Sequence, residues 1–213
     1  MDASFTGNPR KTFIVGISGG SAAGKTMVAN LLAEMMADIS PLVIGVDRYF
    51  LDRSSLSAEE RARINYDEPE ALNFSLLAED LATLRRGEGI AMPIYDYANH
   101  AAIQNAEPVP HARLVIVEGI LLFHPAAIQP LLDFRLFVDA DRDVRLKRRI
   151  ARDTLERGRC EQSVIRQFND TVEPGFEKYI LPTRAESDFI LVWNIKDMRS
   201  LTRAAEIIRG RMV

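Results

Sequence analysis

With 213 residues, 47% of them hydrophobic and 27% charged, the chain has the length and composition of one globular domain. Its net charge of −3 gives no basic surplus for nucleic acid, and its single cysteine, Cys160, excludes an internal disulfide. The three histidines lack metal-ligand spacing, no apolar run reaches the ~20 residues of a membrane helix, and the N-terminal segment lacks the apolar core of a signal peptide. We therefore expect a cytoplasmic protein whose partners include neither nucleic acid nor a membrane.

Short apolar runs alternate with helical patterns, which predicts a parallel α/β sheet in a single domain over residues 1–213. The runs are nearly continuous in apolar residues, as in strands that are covered on both faces. They occupy residues 13–17, 42–46, 114–117, 134–138 and 189–192. Helical patterns occupy residues 25–37, 74–86, 142–156, 161–179 and 201–209. A capping box at Ser57 and Glu60 predicts one more short helix.

The first apolar run leads into a segment that matches G-x-x-x-x-G-K-[ST] at every position. The segment consists of Gly19, Gly20, Ser21, Ala22, Ala23, Gly24, Lys25 and Thr26. Its glycines let successive amide groups turn toward phosphate oxygens, and the helix that follows adds the positive end of its dipole. Lys25 would contact the β and γ phosphates, and the Thr26 hydroxyl would ligate magnesium. A Gly-rich turn without this function is the alternative, and the flanking strand and helix argue against it.

Two apolar runs are each followed by an acidic residue, Asp47 and Glu118. Ligands of open α/β sheets gather beyond the carboxyl ends of the strands, where P-loop proteins place a metal ligand or a base. Glu118 suits the metal role, and Asp47 suits acceptance of a proton from an attacking hydroxyl. Either acid could instead cap the next segment. Asp139 has a weaker claim because Asp141 follows it and both resemble helix-start residues, with Asp141 a predicted N-cap.

Residues 90–110 contain three prolines and interrupt the alternation of strands and helices. This segment predicts a small β insertion, a natural place to hold a second substrate. Tyr95 and Tyr97 would share one face of a strand there, either as a stacking platform or as part of the core.

Seven of the residues between 145 and 159 are basic and two are acidic. The basic residues are Arg145, Lys147, Arg148, Arg149, Arg152, Arg157 and Arg159. Arg145, Arg149 and Arg152 fall on one helical face by their spacing of four and three. Guanidinium groups there would stabilise charge on a transferring phosphoryl group, and Gly158 could be the hinge of a lid over about residues 149–167. A solvated charged face is the alternative.

Six sequence blocks, in order, resemble the uridine kinase family (uridine–cytidine kinases) of P-loop nucleoside kinases over nearly the whole chain. They occupy residues 16–26, 47–50, 65–71, 93–97, 118–121 and 148–153 with 156–159. The resemblance implies a three-layer α/β/α fold with a five-stranded parallel sheet, and a homotetramer. It also implies transfer of the γ-phosphoryl group of ATP or GTP, with Mg²⁺, to the 5′-hydroxyl of uridine or cytidine in pyrimidine salvage.

The resemblance implies roles for individual residues as well. Asp47 is the implied base, with Lys25, Arg149 and Arg152 as the other catalytic residues and Thr26 and Glu118 as the metal ligands. The implied substrate-binding residues are Tyr66, Asp67, Tyr95, Tyr97, His100, Arg149, Arg159 and Gln167. Among them Arg149 and Arg159, together with Arg152, are the implied lid and phosphate-contacting arginines.

The chain departs from the family pattern at Ala23, where serine is usual, at Arg48, where a small or polar residue is usual, and at Phe50, where tyrosine is common. The loss of a hydroxyl at Phe50 leaves the acceptor preference open. A related kinase acting on ribulose phosphate or pantothenate is one alternative function. A GTPase-like switch is another, although Asn194-Ile-Lys-Asp197 has its lysine one position away from the Asn-Lys-x-Asp guanine-binding motif.

Overall fold

The computed structural model describes residues 12–62, 64–97 and 101–212. Its strands, numbered in chain order, are β1 (Phe13–Gly19), β2 (Leu42–Gly45), β3 (Ile90–Asp96), β4 (Ala101–Val109), β5 (Leu114–Glu118), β6 (Phe134–Asp139) and β7 (Phe189–Val192). Five of them form a parallel sheet in the order β2-β5-β1-β6-β7. The five predicted strands are confirmed, and the strand that leads into the phosphate motif lies at the centre of the sheet.

Helices cover both faces of this sheet. They are α1 (Lys25–Met35), α2 (Ala58–Ala62), α3 (Phe74–Arg85), α4 (Arg142–Leu155), α5 (Glu161–Gln167), α6 (Glu173–Gly175) and α7 (Met198–Arg211). Neighbouring residues of β1 point to opposite faces, so Ile14 joins a core with Leu77 of α3 whereas Val15 joins a core with Leu32 of α1 and Ile208 of α7. These two cores give the predicted three-layer α/β/α architecture.

The expectation that both faces of every strand are covered is wrong at β7. Ile190 is 37% exposed and Val192 is 54% exposed, whereas Leu191 between them is fully buried. Since β7 is an edge strand, one of its faces remains accessible to solvent.

The helical pattern over residues 161–179 is interrupted in the structure. Two π-helical segments, Phe168–Val172 and Phe176–Ile180, flank α6, and a 3-10 helix, Leu181–Glu186, follows them. Pro174 lies in the first turn of α6. Because proline has no amide hydrogen, it cannot complete an α-helical hydrogen bond at that position.

The two predicted helix caps have different outcomes. The capping box is confirmed, because the Ser57 amide donates to Glu60 Oε2 at 2.8 Å and the Glu60 amide donates to Ser57 Oγ at 3.3 Å. Asp141 occupies the predicted N-cap position of α4, but the predicted contact of its carboxylate is wrong, because the side chain forms no capping hydrogen bond. The Asp141 amide instead donates to Asn194 Oδ1 at 2.8 Å, which fixes the start of the helix from the neighbouring strand end.

The predicted β insertion is an antiparallel hairpin of β3 and β4. Its register shifts between Met92 and Ile94, at Pro93, which cannot donate a ladder hydrogen bond. Within the described part of the chain, no helix is long and apolar enough to cross a membrane.

Candidate active site

The phosphate motif forms a tight loop between β1 and α1. Gly19 and Gly24 adopt φ angles of 149° and 109°, which residues with a Cβ rarely adopt. A Cβ at Gly19 would overlap the Val138 carbonyl oxygen, and one at Gly24 would lie 2.7 Å from Trp193 Cδ1. No side chain caps the N-terminus of α1, so its first amide groups and its dipole face the loop interior. The loop therefore has the geometry of an anion site.

Lys25 and Thr26 close this loop. Lys25 is buried, and its Nζ donates to the Gly20 carbonyl oxygen at 2.9 Å. The Thr26 hydroxyl donates to Glu118 Oε1 at 2.8 Å, which joins the loop to the end of β5. The sequence-predicted lysine, hydroxyl and acid therefore lie together.

The charged groups around Lys25 shift one another's pKa values. Burial lowers the pKa of Lys25, and the carboxylates of Glu118 and Asp47 oppose this shift. Burial raises the pKa of Glu118, although Lys25 acts in the opposite direction. Burial also raises the pKa of Asp67, against the pull of Arg149 and Lys25. The three carboxylates and Lys25 thus form one electrostatic group at the mouth of the loop.

Asp47 does not directly follow a strand but lies in the 3-10 turn Val46–Tyr49 after β2. Its side chain is accessible to solvent, yet the protein atoms around the cleft partly desolvate the carboxylate and raise its pKa. Lys25, Arg157 and Arg152 oppose this shift. The turn is anchored by Tyr49, whose buried hydroxyl donates to Asp80 Oδ2 at 2.8 Å.

Four rings beside the Asp47 turn form an aromatic cluster, consisting of Phe50, Tyr66, Tyr95 and Tyr97. The Phe50 ring centroid lies 5.6 Å from that of Tyr66 and 5.6 Å from that of Tyr95, and Tyr95 lies 5.4 Å from Tyr97. Tyr95 is 6% exposed and Tyr97 is 56% exposed, so the pair includes both a core residue and an accessible ring. Burial raises the pKa of Tyr97, as does its proximity to Asp47. Asp47 therefore lies near the accessible ring of the cluster.

The two departures next to Asp47 make contacts of their own. Arg48 Nη1 lies 3.3 Å from Glu107 Oε2 and 3.4 Å from the Pro93 carbonyl oxygen, so it joins the Asp47 turn to the β hairpin. Phe50 contacts the rings of Tyr66 and Tyr95 and packs against the hydrophobic core that contains Tyr49 and Leu72. Ala23 is fully buried, and its carbonyl oxygen accepts from Arg148 Nη1 at 3.0 Å.

The arginine face of the basic helix α4 is not simply exposed to solvent, because Arg145 and Arg149 are buried. Arg149 Nη1 donates to Ser21 Oγ at 2.7 Å and its Nη2 donates to Gln167 Oε1 at 3.0 Å. Arg159 Nη1 donates to the same Gln167 oxygen at 2.6 Å. Arg145 is buried and pairs with Glu173 at 2.8 Å. The helix therefore lies against the phosphate loop, and Gln167 links its arginines to α5.

Other predicted residues lie apart from this group or outside the described residues. Asp139 accepts from Arg184 Nε at 3.0 Å and is tied to the segment before β7. Asn194 supports the start of α4, and Asp197 caps α7 through the amides of Arg199 and Ser200. The guanine-binding alternative therefore loses two of its residues to structural roles. His100 lies outside the described residues.

Sequence reasoning missed two residues that shape the site. Asp153 is fully buried among the arginines of α4, and its i,i+4 relation to Arg149 was the available signal. Arg148 binds the Ala23 carbonyl oxygen and the Trp193 carbonyl oxygen, the latter at 2.7 Å. No local pattern reveals this second contact, because it joins residues 45 positions apart.

The oxygen ligands at the end of the loop fit a magnesium ion. Mg²⁺ in phosphoryl-transfer sites takes one or two protein oxygen ligands and completes its shell with water and substrate phosphates. Thr26 Oγ1 and Glu118 Oε1 are already adjacent at 2.8 Å. Among the described residues no group of three or more His, Cys, Asp or Glu could hold a metal. The site thus suits a cation that arrives with a triphosphate.

A Gly-rich loop between the central parallel strand and a helix, closed by Lys25 and Thr26 and faced by Asp47 and Glu118, defines the P-loop class of nucleotide-binding proteins, to which many kinases belong. The profile of the "Phosphoribulokinase / Uridine kinase family" matches residues 14–197. A uridine kinase of Ligilactobacillus salivarius (strain UCC118) is 41% identical over 205 residues, covering 94% of this chain and 96% of the relative. A uridine kinase of Leuconostoc citreum (strain KM20) is 39% identical over 183 residues, covering 85% and 87%. The chain belongs to the phosphoribulokinase/uridine kinase family of phosphotransferases.

A solved structure with the same fold is the "putative fructose transport system kinase from Silicibacter sp. TM1040". Its TM-score to this chain is 0.69 at 22% identity, and the match covers 89% of this chain and 92% of that one. At this identity the likeness concerns the fold alone.

Proposed function

We propose that this protein is a uridine/cytidine kinase that transfers the γ-phosphoryl group of ATP or GTP to the 5′-hydroxyl of uridine or cytidine, giving UMP or CMP. The relatives named above support the reaction class. The observation that carries the proposal is the position of Asp47, which interacts electrostatically with Lys25 on the donor side and with Tyr97 of the aromatic cluster on the other. A hydroxyl bound against that cluster would therefore meet both a base and a phosphate site.

The triphosphate would lie in the loop of residues 19–26. Amide groups at the start of α1 would bind its oxygens, and Lys25 would exchange its Gly20 contact for the β and γ phosphates. Thr26 and Glu118 would hold Mg²⁺, which offsets the negative charge of the phosphates when it is bound. Membership of a kinase family implies a donor such as ATP, and GTP would fit the same main-chain contacts.

The acceptor hydroxyl would give its proton to Asp47 as its oxygen attacks the γ phosphorus. The bond between that phosphorus and the oxygen that bridges it to the β phosphorus breaks, and the electron pair leaves with the nucleoside diphosphate, ADP or GDP. The raised pKa of Asp47 makes it a stronger base than an ordinary aspartate. Arg149 and Arg152 would stabilise the charge on the transferring group, since both interact with the carboxylates beside the loop.

The nucleoside would lie between the aromatic cluster and the lid. Tyr95 and Tyr97 would hold the base, and Asp67, whose pKa is raised by burial, would accept from a ribose hydroxyl. The other proposed contacts are Tyr66, His100, Arg149, Arg159 and Gln167.

Several finer points belong to the same proposal. We place the reaction in a single domain over residues 1–213, with a substrate-binding insertion at about 90–110 and a lid at about 149–167. Gly158, at φ 62°, is the proposed hinge of that lid. We further propose a cytoplasmic homotetramer that serves pyrimidine salvage.

The test is a coupled assay that measures the release of ADP or GDP from ATP or GTP in the presence of Mg²⁺. Uridine and cytidine should stimulate release, whereas ribulose 5-phosphate, pantothenate and adenosine should not. The product should be the 5′-monophosphate by chromatography. Release that depends on none of the pyrimidine nucleosides would overturn the proposal. Release stimulated by ribulose phosphate or pantothenate would assign the protein to another branch of the family.

A further inference from the structure

One buried carboxylate organises the arginines of the lid. Asp153 of α4 is fully buried and lies within 4 Å of four guanidinium groups. Arg152 Nε is 2.8 Å from Oδ1 and Arg157 Nη1 is 3.5 Å from the same oxygen. Arg149 Nε and Arg159 Nη1 are each 3.5 Å from Oδ2. We call these five residues the Asp153 cluster.

The main chain of Asp153 contributes to the same arrangement. After α4 ends at Leu155, Gly158 adopts a φ of 62° and turns the chain back. The amide of Arg159 then donates to the Asp153 carbonyl oxygen at 3.0 Å. Asp153 thus holds the turn through its carbonyl and the guanidinium groups through its carboxylate.

The charge balance of the cluster leaves a surplus that faces the active site. A single buried carboxylate between four guanidinium groups offsets part of their mutual repulsion, which acts at short range and is strongest at the buried Arg149. Among the described residues, Arg152 and Arg157 form ion pairs with no acid other than Asp153. Without that acid, repulsion would favour conformations in which these two side chains point to solvent.

Members of the cluster also reach the site itself. Arg149 donates to Ser21 of the phosphate loop at 2.7 Å. Arg152 and Arg157 both interact electrostatically with Asp47. A change at Asp153 would therefore alter the positions of the arginines beside the proposed base, although Asp153 itself does not touch that base.

We infer that Asp153 is a positioning residue that holds the lid arginines in place for phosphoryl transfer, an inference that rests on the proposed function. Arg149 is also held by its bonds to Ser21 and Gln167, so we expect ground-state binding of the triphosphate to be largely retained when Asp153 is neutral. Stabilisation of the transition state depends on several guanidinium groups at once, and displacement by about 1 Å can cost on the order of 100-fold in rate. Loss of the Asp153 charge should therefore lower kcat more than it changes KM.

The experiment compares Asp153→Asn with Asp143→Asn, which removes the same charge from the exposed N-terminal turn of α4. Asp153→Asn should lower kcat by about 10- to 100-fold and change KM for ATP far less, while Asp143→Asn should match the unmutated protein. A double-mutant cycle with Arg157→Ala should show non-additive losses, because both changes disrupt the same cluster. An unchanged kcat, an effect confined to KM, or strictly additive losses would overturn the inference.

A readout without catalysis separates this inference from the proposed function. Trypsin cleaves after arginine, so cleavage after Arg157 and Arg159 reports the order of the lid turn. Asp153→Asn should be cleaved there several-fold faster than the unmutated protein, with cleavage elsewhere unchanged. If the unmutated protein phosphorylates no nucleoside, the proposed function is wrong, but the cleavage experiment still tests whether Asp153 orders the lid turn. If Asp153→Asn does not fold, Arg157→Ala should speed cleavage after Arg159, and an unchanged rate would overturn the inference.

Discussion

The donor and acceptor sides of the candidate site are built in opposite ways. On the donor side, consecutive residues present main-chain groups, and Gly19 and Gly24 hold unusual φ angles against buried neighbours. On the acceptor side, rings from separate segments meet, as Phe50 does with Tyr66 and Tyr95. The donor side thus depends on backbone conformation and the acceptor side on side-chain identity. Substitutions should therefore be able to damage one side and spare the other.

Asp47 lies where the two sides meet, so its substitution should have the largest effect. Asp47→Asn keeps the size of the side chain and removes the proton acceptor. We expect kcat to fall by about 10²- to 10⁴-fold, the usual contribution of a general base, with triphosphate affinity retained. Steady-state kinetics and equilibrium titration with ATP measure the two quantities. Near-normal turnover would remove Asp47 as the base.

The pH profile of the unmutated protein is an independent control on Asp47. A base acts in its ionised form, and partial desolvation raises the pKa of Asp47. Consequently kcat/KM should fall as the pH drops through that raised pKa, at a higher pH than for an ordinary aspartate at about 3.9. The acidic limb should persist in Asp67→Asn, although burial raises the pKa of Asp67 as well. A profile that stays flat down to about pH 4 would contradict this role.

Gly24→Ala should damage the donor side through the backbone. An alanine there must adopt a φ of 109° and place its Cβ 2.7 Å from Trp193 Cδ1. Left-handed backbone costs a residue with a Cβ about 1–2 kcal/mol, so both thermal stability and triphosphate affinity should fall. Gly210→Ala is the control, because its Cβ would meet nothing within 4 Å and alanine favours a helix by up to about 1 kcal/mol. Equal melting temperatures for the two variants would contradict the account of the loop.

Tyr95→Phe should affect the acceptor side alone. The Tyr95 hydroxyl is buried and forms no hydrogen bond within the described ranges, so its removal should not lower stability. If it binds the nucleoside, KM for uridine should rise about 2- to 10-fold, as expected for one neutral hydrogen bond, with KM for ATP unchanged. Tyr49→Phe should have the opposite pattern. It removes the hydrogen bond between the Tyr49 hydroxyl and Asp80, so it should lower the free energy of unfolding by about 0.5–1.5 kcal/mol. A rise in KM for ATP with Tyr95→Phe would contradict the claim that the donor and acceptor sides can be damaged independently.

The smallest effect should come from Arg48, which links the Asp47 turn to the hairpin. Its ion pair with Glu107 is exposed, with side-chain exposures of 35% and 53%. Exposed pairs contribute about 0–1 kcal/mol, so Arg48→Ala should change KM for the nucleoside by less than about fivefold. A double-mutant cycle with Glu107→Ala measures the coupling. A coupling energy well above that range would show that the hairpin position depends on this pair.

The parts of the molecule that were predictable are those encoded over short stretches. The strands and the phosphate loop follow from local apolar runs and a contiguous motif, and residues 189–192 match β7 at both ends. The arrangement around Asp153 was only partly predictable, because Arg149 and Arg157 stand four positions from it along the sequence whereas Arg159 reaches it through the turn at Gly158. Trp193 likewise packs on Gly24 from the far end of the sheet. The side-chain N-cap at Asp141 does not form, and the start of α4 is held instead by a tertiary contact of the Asp141 amide with Asn194, which no local pattern reveals.

The residues that surround the phosphate loop come from late in the sequence, and this affects when the loop can form during protein synthesis. The loop occupies eight consecutive residues near the N-terminus, but its neighbours are Val138 on β6, Arg148 on α4 and Trp193 after β7. A ribosome that adds about 5–20 residues per second needs on the order of ten seconds or more to pass from the loop to Trp193. During that interval the nascent chain contains the complete motif but lacks some of the residues that pack against it in the folded protein. Nucleotide binding should therefore begin only after Trp193 has been synthesised and has packed against the loop.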